Sequence, residues 1–344
     1  MKKRINLALQ GGGAHGAFTW GVLDRILHDE DIEISAISGT SAGALNGAAL
    51  KAGMVEGGAS GARERLDWLW QEVGAQPNLH IPQWMMPFSL SDISKGLEMS
   101  PAFMAADMWS RAVSPYAYGP FYNNPLRPIV EQFNYDSVCT EKGDGPCLFI
   151  CATRVRSGKI KVFKDSEIST DVILASACLP TMFQAVTVED PETGVKEDYW
   201  DGGYTGNPAL FPLFGGDLPE DILIVNINPL ERVETPRTGQ AIQNRINEIS
   251  FNSSLLRELR AIDFVQRLLE TGKMDKGEMS RVLVHMIADD GLMNELSVAT
   301  KLIPTPYTLA RLKEAGQRAA DDFLAAHRDD LNQRSTVDLV GMFQ

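Results

Sequence analysis

The chain has 344 residues, 44% of them hydrophobic and 22% charged, proportions that exclude disordered, collagen-like and coiled-coil architectures. Lys and Arg number 32 against 45 Asp and Glu, a formal charge of -13. That balance argues against nucleic acid as the main partner and against long-range attraction to an anionic membrane.

The opening MKKRINLALQGGG has an apolar stretch only from Ile5 to Leu9, too short for the core of a signal peptide. A cytoplasmic protein is the expectation. No apolar run approaches the ~18 residues of a membrane helix, so any lipid contact should be peripheral. Cys139, Cys147, Cys151 and Cys178 form no C-x-x-C pair and have no matching histidine cluster; free thiols, with no metal and no cofactor, are expected.

Residues 4–10 read as a short apolar strand that a glycine run breaks, and residues 14–28 carry the helical spacing Phe18, Val22, Ile26. Residues 34–38 read as a second strand and the alanine-rich 41–51 as a second helix. Strand, loop and helix in repetition predict a parallel sheet. Further buried strands are predicted at 147–153, 160–163, 222–228 and 282–288, with amphipathic helices at 241–269 and 308–326. The expected fold is α/β, an open and mainly parallel central sheet flanked by helices. A single domain should span 1–344, with 231–344 supplying its C-terminal helical and strand elements.

Residues 79–125 depart from the alternation. They concentrate methionine, tryptophan, tyrosine and phenylalanine between prolines, and read as an insertion. Adaptable methionines and amphipathic rings suit a surface where irregular apolar ligands meet water. A mobile cap that binds acyl chains through Trp84, Met85, Met86 and Phe88 is the expectation, and an extra core layer is the alternative.

Three motifs carry chemistry. Gly39-Thr40-Ser41-Ala42-Gly43 is a G-x-S-x-G between a predicted strand and a predicted helix. A sharp turn there exposes a serine oxygen, the small flanking residues Gly39 and Gly43 permit the turn, and the helix directs its positive end at developing negative charge. A serine helix cap in a glycine turn would use the same letters. Gly11-Gly12-Gly13-Ala14-His15-Gly16 lies at the other strand-to-helix junction. Its bare N–H groups suit an oxyanion hole. Gly11, Gly13 and Gly16 also satisfy the dinucleotide fingerprint G-x-G-x-x-G, yet the acidic residue that should close the second strand is missing. The third motif, Asp201-Gly202-Gly203, reads as a loop, where aspartate is usually a turn former.

Taken together, G-G-G-x-x-G, G-T-S-A-G and D-G-G resemble the patatin-like phospholipase family. The resemblance extends through Ala175-Ser176-Ala177-Cys178-Leu179-Pro180 and Asn207-Pro208, over residues 4–230. It implies an α/β fold related to cytosolic phospholipase A2, and a Ser-Asp dyad hydrolysing carboxyl esters of acylglycerols or phospholipids. By that resemblance Ser41 is the nucleophile, Asp201 its base, and Gly11, Gly12 and Gly13 the oxyanion loop. His15 departs from the arginine or lysine common in the family.

Aspartate is a weak base at neutral pH unless apolar surroundings raise its pKa, and Tyr199 and Trp200 are suitable neighbours. A conventional triad would draw on His285, since Ser41, Asp201 and His285 follow the chain order of α/β-hydrolases. His285 lies within a predicted strand, where a core histidine is the default, and His327 reads as a surface residue. The leading expectation is a lipolytic acyl-ester hydrolase with a lipid or other acyl-ester substrate. The alternatives are an NAD(P)-binding oxidoreductase using Gly11 to Gly16 and a catalytically silent lipid-binding protein. An apolar patch would serve a homo-oligomer as readily as a lipid surface.

Overall fold

In the computed structural model, which describes residues 2–76, 89–139, 145–190 and 194–343 apart from 233, 238 and 274–278, the strands are β1 (Lys3–Leu9), β2 (Ile32–Gly39), β3 (Cys147–Arg154), β4 (Ile160–Lys164), β5 (Val186–Glu189), β6 (Lys196–Asp201), β7 (Asp221–Asn226) and β8 (Leu283–Ala288). They form one sheet in the order β5-β6-β3-β2-β1-β7-β8, with β4 added on β3. Five strands from β3 to β8 run parallel. The antiparallel β4, β5 and β6 extend the β3 end.

The parallel strands are buried on both faces because their residues divide with period two between two apolar layers. Leu7, Leu9, Ile37, Leu223 and Val225 face one layer. Ala8, Ala36, Ile222 and Ile224 face the other, which Leu255, Leu259 and Ile262 cover. Each fully buried Leu or Ile contributes about 1.5–3 kcal/mol.

The helices are α1 (Gly16–Ile26), α2 (Ala42–Ala75), α3 (Leu90–Glu98), α4 (Pro101–Ala112), α5 (Arg127–Val130), α6 (Tyr135–Val138), α7 (Thr170–Ser176), α8 (Gly239–Glu270), α9 (Asp290–Glu295), α10 (Val298–Leu302), α11 (Pro306–His327) and α12 (Leu339–Met342). The second helix runs well past the expected residue 51. Two residues with non-helical backbone, Gly57 and Gly58, interrupt it.

The pairing around β3 positions the site. Phe149 and Ile150 pair with both β2 and β4, so those strands flank β3 on opposite edges. Ala152 and Thr153 pair with both β4 and β6, so β6 lies opposite β4 and follows β2 along the same edge. Gly39 pairs with Ile150 and Asp201 with Ala152. The sheet therefore brings the end of β6 to the turn that follows β2. This corrects the loop reading of Asp201, which ends a strand that the largely polar sequence Lys196-Glu197-Asp198-Tyr199-Trp200-Asp201 hides because only Tyr199 and Asp201 are buried.

Within 79–125, the expected acyl-binding residues Trp84, Met85, Met86 and Phe88 lie outside the described residues. The remainder holds α3 and α4. Ser89 and Ser100 cap α3 and α4, and Ile93, Leu97 and Phe103 pack on Ala299. Met99, Met108, Trp109 and Phe121 are exposed, Phe121 at 88%. Among the described residues no helix is long and apolar enough to cross a membrane.

Candidate active site

Ser41 stands between the last residue of β2 and the first turn of α2, at φ 55° and ψ -120°. Positive φ in a residue with a Cβ costs about 1–3 kcal/mol and persists only where the surroundings enforce it. Here they do. The Ser41 N–H donates to Ser176 Oγ at 2.9 Å, the Ser176 hydroxyl donates to the Cys151 carbonyl at 2.7 Å, and the Gly43 N–H donates to the Thr40 carbonyl at 2.8 Å. The turn places the serine side chain at the positive end of α2.

Asp201 is 1% exposed. Its carboxylate accepts the Gly203 N–H at 2.7 Å, and the Ser41 hydroxyl lies near enough to favour its ionised form. Burial pushes its pKa up to about 7, and the Gly203 N–H and the Ser41 hydroxyl pull against the shift. An aspartate so placed is half ionised near neutral pH, a suitable poise for a general base.

The glycine loop lies against the serine. A Cβ on Gly11 would come within 2.7 Å of Ser41 Cβ, and one on Gly13, at φ +59°, would run into the Lys301 carbonyl. Gly11 differs from the expectation for it: its N–H donates to Asn207 Oδ1 at 2.7 Å and is no longer open to an oxyanion. Among the described residues the Gly12 and Gly13 N–H groups donate to nothing, so both are open donors.

A cavity of about 200 Å³ opens at Ser41, with Leu45, Leu69, Trp70, Leu179, Met182 and Phe183 on its wall. Among the described residues, Lys301 is the one charged residue on its wall. His15 does not line it. That imidazole is buried, with Nε2 2.8 Å from Thr300 Oγ1. Thr300 already gives its proton to the Ser297 carbonyl, so Nε2 carries the hydrogen and Nδ1 is left bare. Burial first, then Lys301 and Arg232, holds the His15 pKa well below its usual value, and the ring is neutral.

His285 belongs elsewhere. Its Nε2 is 2.9 Å from Asp221 Oδ1 and its Nδ1 3.1 Å from Thr336 Oγ1. Gly39, Leu9, Val225 and Ile287 are level across four adjacent strands, and His285 sits two residues below that line. Three strand spacings put it about 14 Å away laterally, so no triad assembles. His327 pairs with Asp330 at 2.9 Å on the far helix.

Several residues around the site escaped sequence reasoning. Ser176 and Asn207 fall in motifs noted for resemblance alone. Gln10, Asn228 and Lys301 carry no local signal. Gln10 Oε1 accepts the N–H groups of Ile227 and Asn228 at 2.9 and 3.0 Å. Asn228 donates to the Gly11 carbonyl at 2.7 Å. These contacts join the end of β1 to the end of β7. There the parallel order divides, the position where open α/β sheets bind ligands.

The profile of the family described as patatin-like phospholipase matches residues 7–214, a span that holds the glycine loop, Ser41 and Asp201. No curated protein sequence matches the chain. Among solved structures, the chain is similar to VipD from Legionella pneumophila at 14% identity and a TM-score of 0.43, over 94% of this chain and 67% of that one. It is also similar to a chain of the complex of SpcU and ExoU from the type III secretion system of Pseudomonas aeruginosa, at 14% identity and a TM-score of 0.30. That match covers 93% of this chain and 53% of the other, so the chain spans about half its length.

Proposed function

Because the chain belongs to the patatin-like phospholipase family, we propose that it is a lipolytic acyl-ester hydrolase working through a Ser41-Asp201 dyad and an acyl-enzyme. The observation that carries the reading is the Ser41 side chain beside a buried Asp201 whose pKa burial pushes up to about 7.

In this mechanism Asp201 takes the Ser41 proton as Oγ attacks the ester carbonyl, and the Gly12 and Gly13 N–H groups receive the oxyanion. Each such donor is worth about 10²- to 10³-fold in rate. Collapse expels the alcohol, which leaves with the proton from Asp201. Asp201 then deprotonates a water that attacks the acyl-serine. A second collapse frees the carboxylic acid and returns the proton to Ser41. The apolar cavity beside Ser41 accepts the acyl chain.

Contact with a lipid surface is part of the proposal. Tyr116 and Tyr122 hydroxyls accept the N–H groups of Ala185 and Gln184 at 3.0 and 3.2 Å, which ties the exposed aromatic segment to the loop carrying Met182 and Phe183. The exposed Met108, Trp109 and Phe121 flank these tyrosines in sequence, and amphipathic rings on a segment tied to a lipid-binding cavity suit a membrane interface.

Labelling with a fluorophosphonate tests the assignment. Wild type should be modified at Ser41 and lose esterase activity, whereas Ser41→Ala should resist both labelling and turnover. Labelling at another serine, or full activity in folded Ser41→Ala, overturns it.

A further inference from the structure

Three groups outside the dyad meet behind the glycine loop. Lys301 Nζ donates to Asn228 Oδ1 at 2.9 Å. Asn228 Nδ2 donates in turn to the Gly11 carbonyl at 2.7 Å and to Gln10 Oε1 at 3.1 Å. The direction of this chain is chemically forced at both ends. A lysine ammonium can only donate, so the Asn228 oxygen must face it. Gln10 Oε1 is already fixed as an acceptor by the backbone N–H groups of Ile227 and Asn228, so the Asn228 amide nitrogen must face that way.

The consequence lies in the peptide that Asn228 grips. The Gly11 carbonyl and the Gly12 N–H belong to one planar trans unit and point in opposite directions. Anchoring the carbonyl on Asn228 therefore turns the Gly12 N–H to the opposite side. Glycine offers no side chain to resist a flip, so the restraint must come from outside the loop. The other end of the Gly11 residue is held too, by Asn207 Oδ1 on its N–H.

We propose that Lys301 and Asn228 are positioning residues that fix the Gly11-Gly12 peptide so that the Gly12 N–H is presented as an oxyanion donor. This rests on the Ser41 reading above and deepens it. The same lysine braces the loop once more through its carbonyl, which abuts Gly13, and its neighbour Thr300 holds His15. Its surroundings are consistent with a structural cation. Burial and Arg232 push Lys301 down to about 8 while Glu248 pulls it up, which leaves it charged at pH 7, and the facing His15 is neutral.

The test pairs kinetics with crystallography. Asn228→Ala should lower kcat on a soluble short-chain ester about 100-fold, the loss of one oxyanion donor, with KM within about 3-fold. Lys301→Met should lower kcat about 10-fold, and Lys301→Arg, still a pure donor, should recover most of that loss. Affinity for a trifluoromethyl ketone analogue should fall in proportion to kcat/KM, which loosened packing would not reproduce. Crystals of Asn228→Ala should show the Gly11 carbonyl rotated from its wild-type direction. Wild-type kcat in Asn228→Ala, or an unmoved Gly11-Gly12 peptide, overturns the proposal. An inert wild type would instead refute the hydrolase reading, and the peptide's orientation in the crystals would still decide the relay.

Discussion

Ser176 Oγ accepts the backbone N–H of Ser41 at 2.9 Å and donates to the Cys151 carbonyl at 2.7 Å, so the strained nucleophile is held by a hydroxyl 135 residues away in sequence. Removing it leaves an N–H and a carbonyl without partners, at about 1–3 kcal/mol for each buried group. Ser176→Ala should lower unfolding free energy by about 2 kcal/mol and reduce kcat about tenfold while KM changes little. Urea denaturation and steady-state kinetics read the two effects. A variant as stable and active as wild type would show that the elbow holds itself.

The backbone at Ser41 should also register in stability alone. At φ 55° and ψ -120° only glycine is unstrained. Both Ser41→Gly and Ser41→Ala abolish the nucleophile, but only the first relieves the backbone. Ser41→Gly should be more stable than Ser41→Ala by about 1 kcal/mol, despite glycine's greater freedom when unfolded. Equal denaturation midpoints would argue that the turn is relaxed.

Asp201 links pH to both rate and stability. Only its ionised form can take the Ser41 proton, so with a pKa of about 7 kcat/KM should rise through pH 7 and fall away below it. An acid limb confined to pH values below about 5 would remove Asp201 from the role of base. For stability the sign is opposite to that of a salt-bridged aspartate. The folded pKa lies above the unfolded one, so the folded state binds more protons between about 4 and 7, and stability declines as pH rises through that window. Asp201→Asn removes the buried charge and keeps an acceptor for the Gly203 N–H. It should raise Tm at pH 8 by on the order of a few degrees and lose that gain at pH 4. Turnover should fall by several orders of magnitude at both.

The sequence made the parallel strands and the serine turn legible because both are local. Apolar runs such as Ile5 to Leu9 carry their own burial signal, and Gly39-Thr40-Ser41-Ala42-Gly43 encloses its geometry in five residues. Asp201 was legible as a residue but not as the end of a strand, since β6 is largely polar and declares itself only by pairing with β3 and β5. Gln10, Asn228 and Lys301 were illegible for a related reason. Their meaning lies in mutual contacts across 218 residues of sequence in one case, and an asparagine or lysine alone is compatible with any surface. His285 shows the converse: chain order suggested a triad, and strand register places the ring against Asp221 instead.

The exposed aromatic segment gives the last prediction. Phe121 is 88% and Trp109 57% exposed, a cost in water that contact with lipid acyl chains would relieve. Trp109 Nε1 donates to Tyr118 Oη at 3.0 Å, which keeps polar groups together and leaves the ring faces free. With a formal charge of -13, attachment should be hydrophobic, so sedimentation with zwitterionic phosphatidylcholine vesicles should change little between 50 mM and 500 mM salt. Phe121→Ser combined with Trp109→Ser should weaken vesicle binding by about tenfold or more, at ~25 cal/mol for each Å² of apolar surface withheld from lipid. Hydrolysis of vesicle lipid should fall in parallel, while turnover of a soluble short-chain ester stays unchanged. Equal loss on both substrates would mean the rings support the fold of the cavity, and undiminished vesicle binding would place the lipid-facing surface elsewhere.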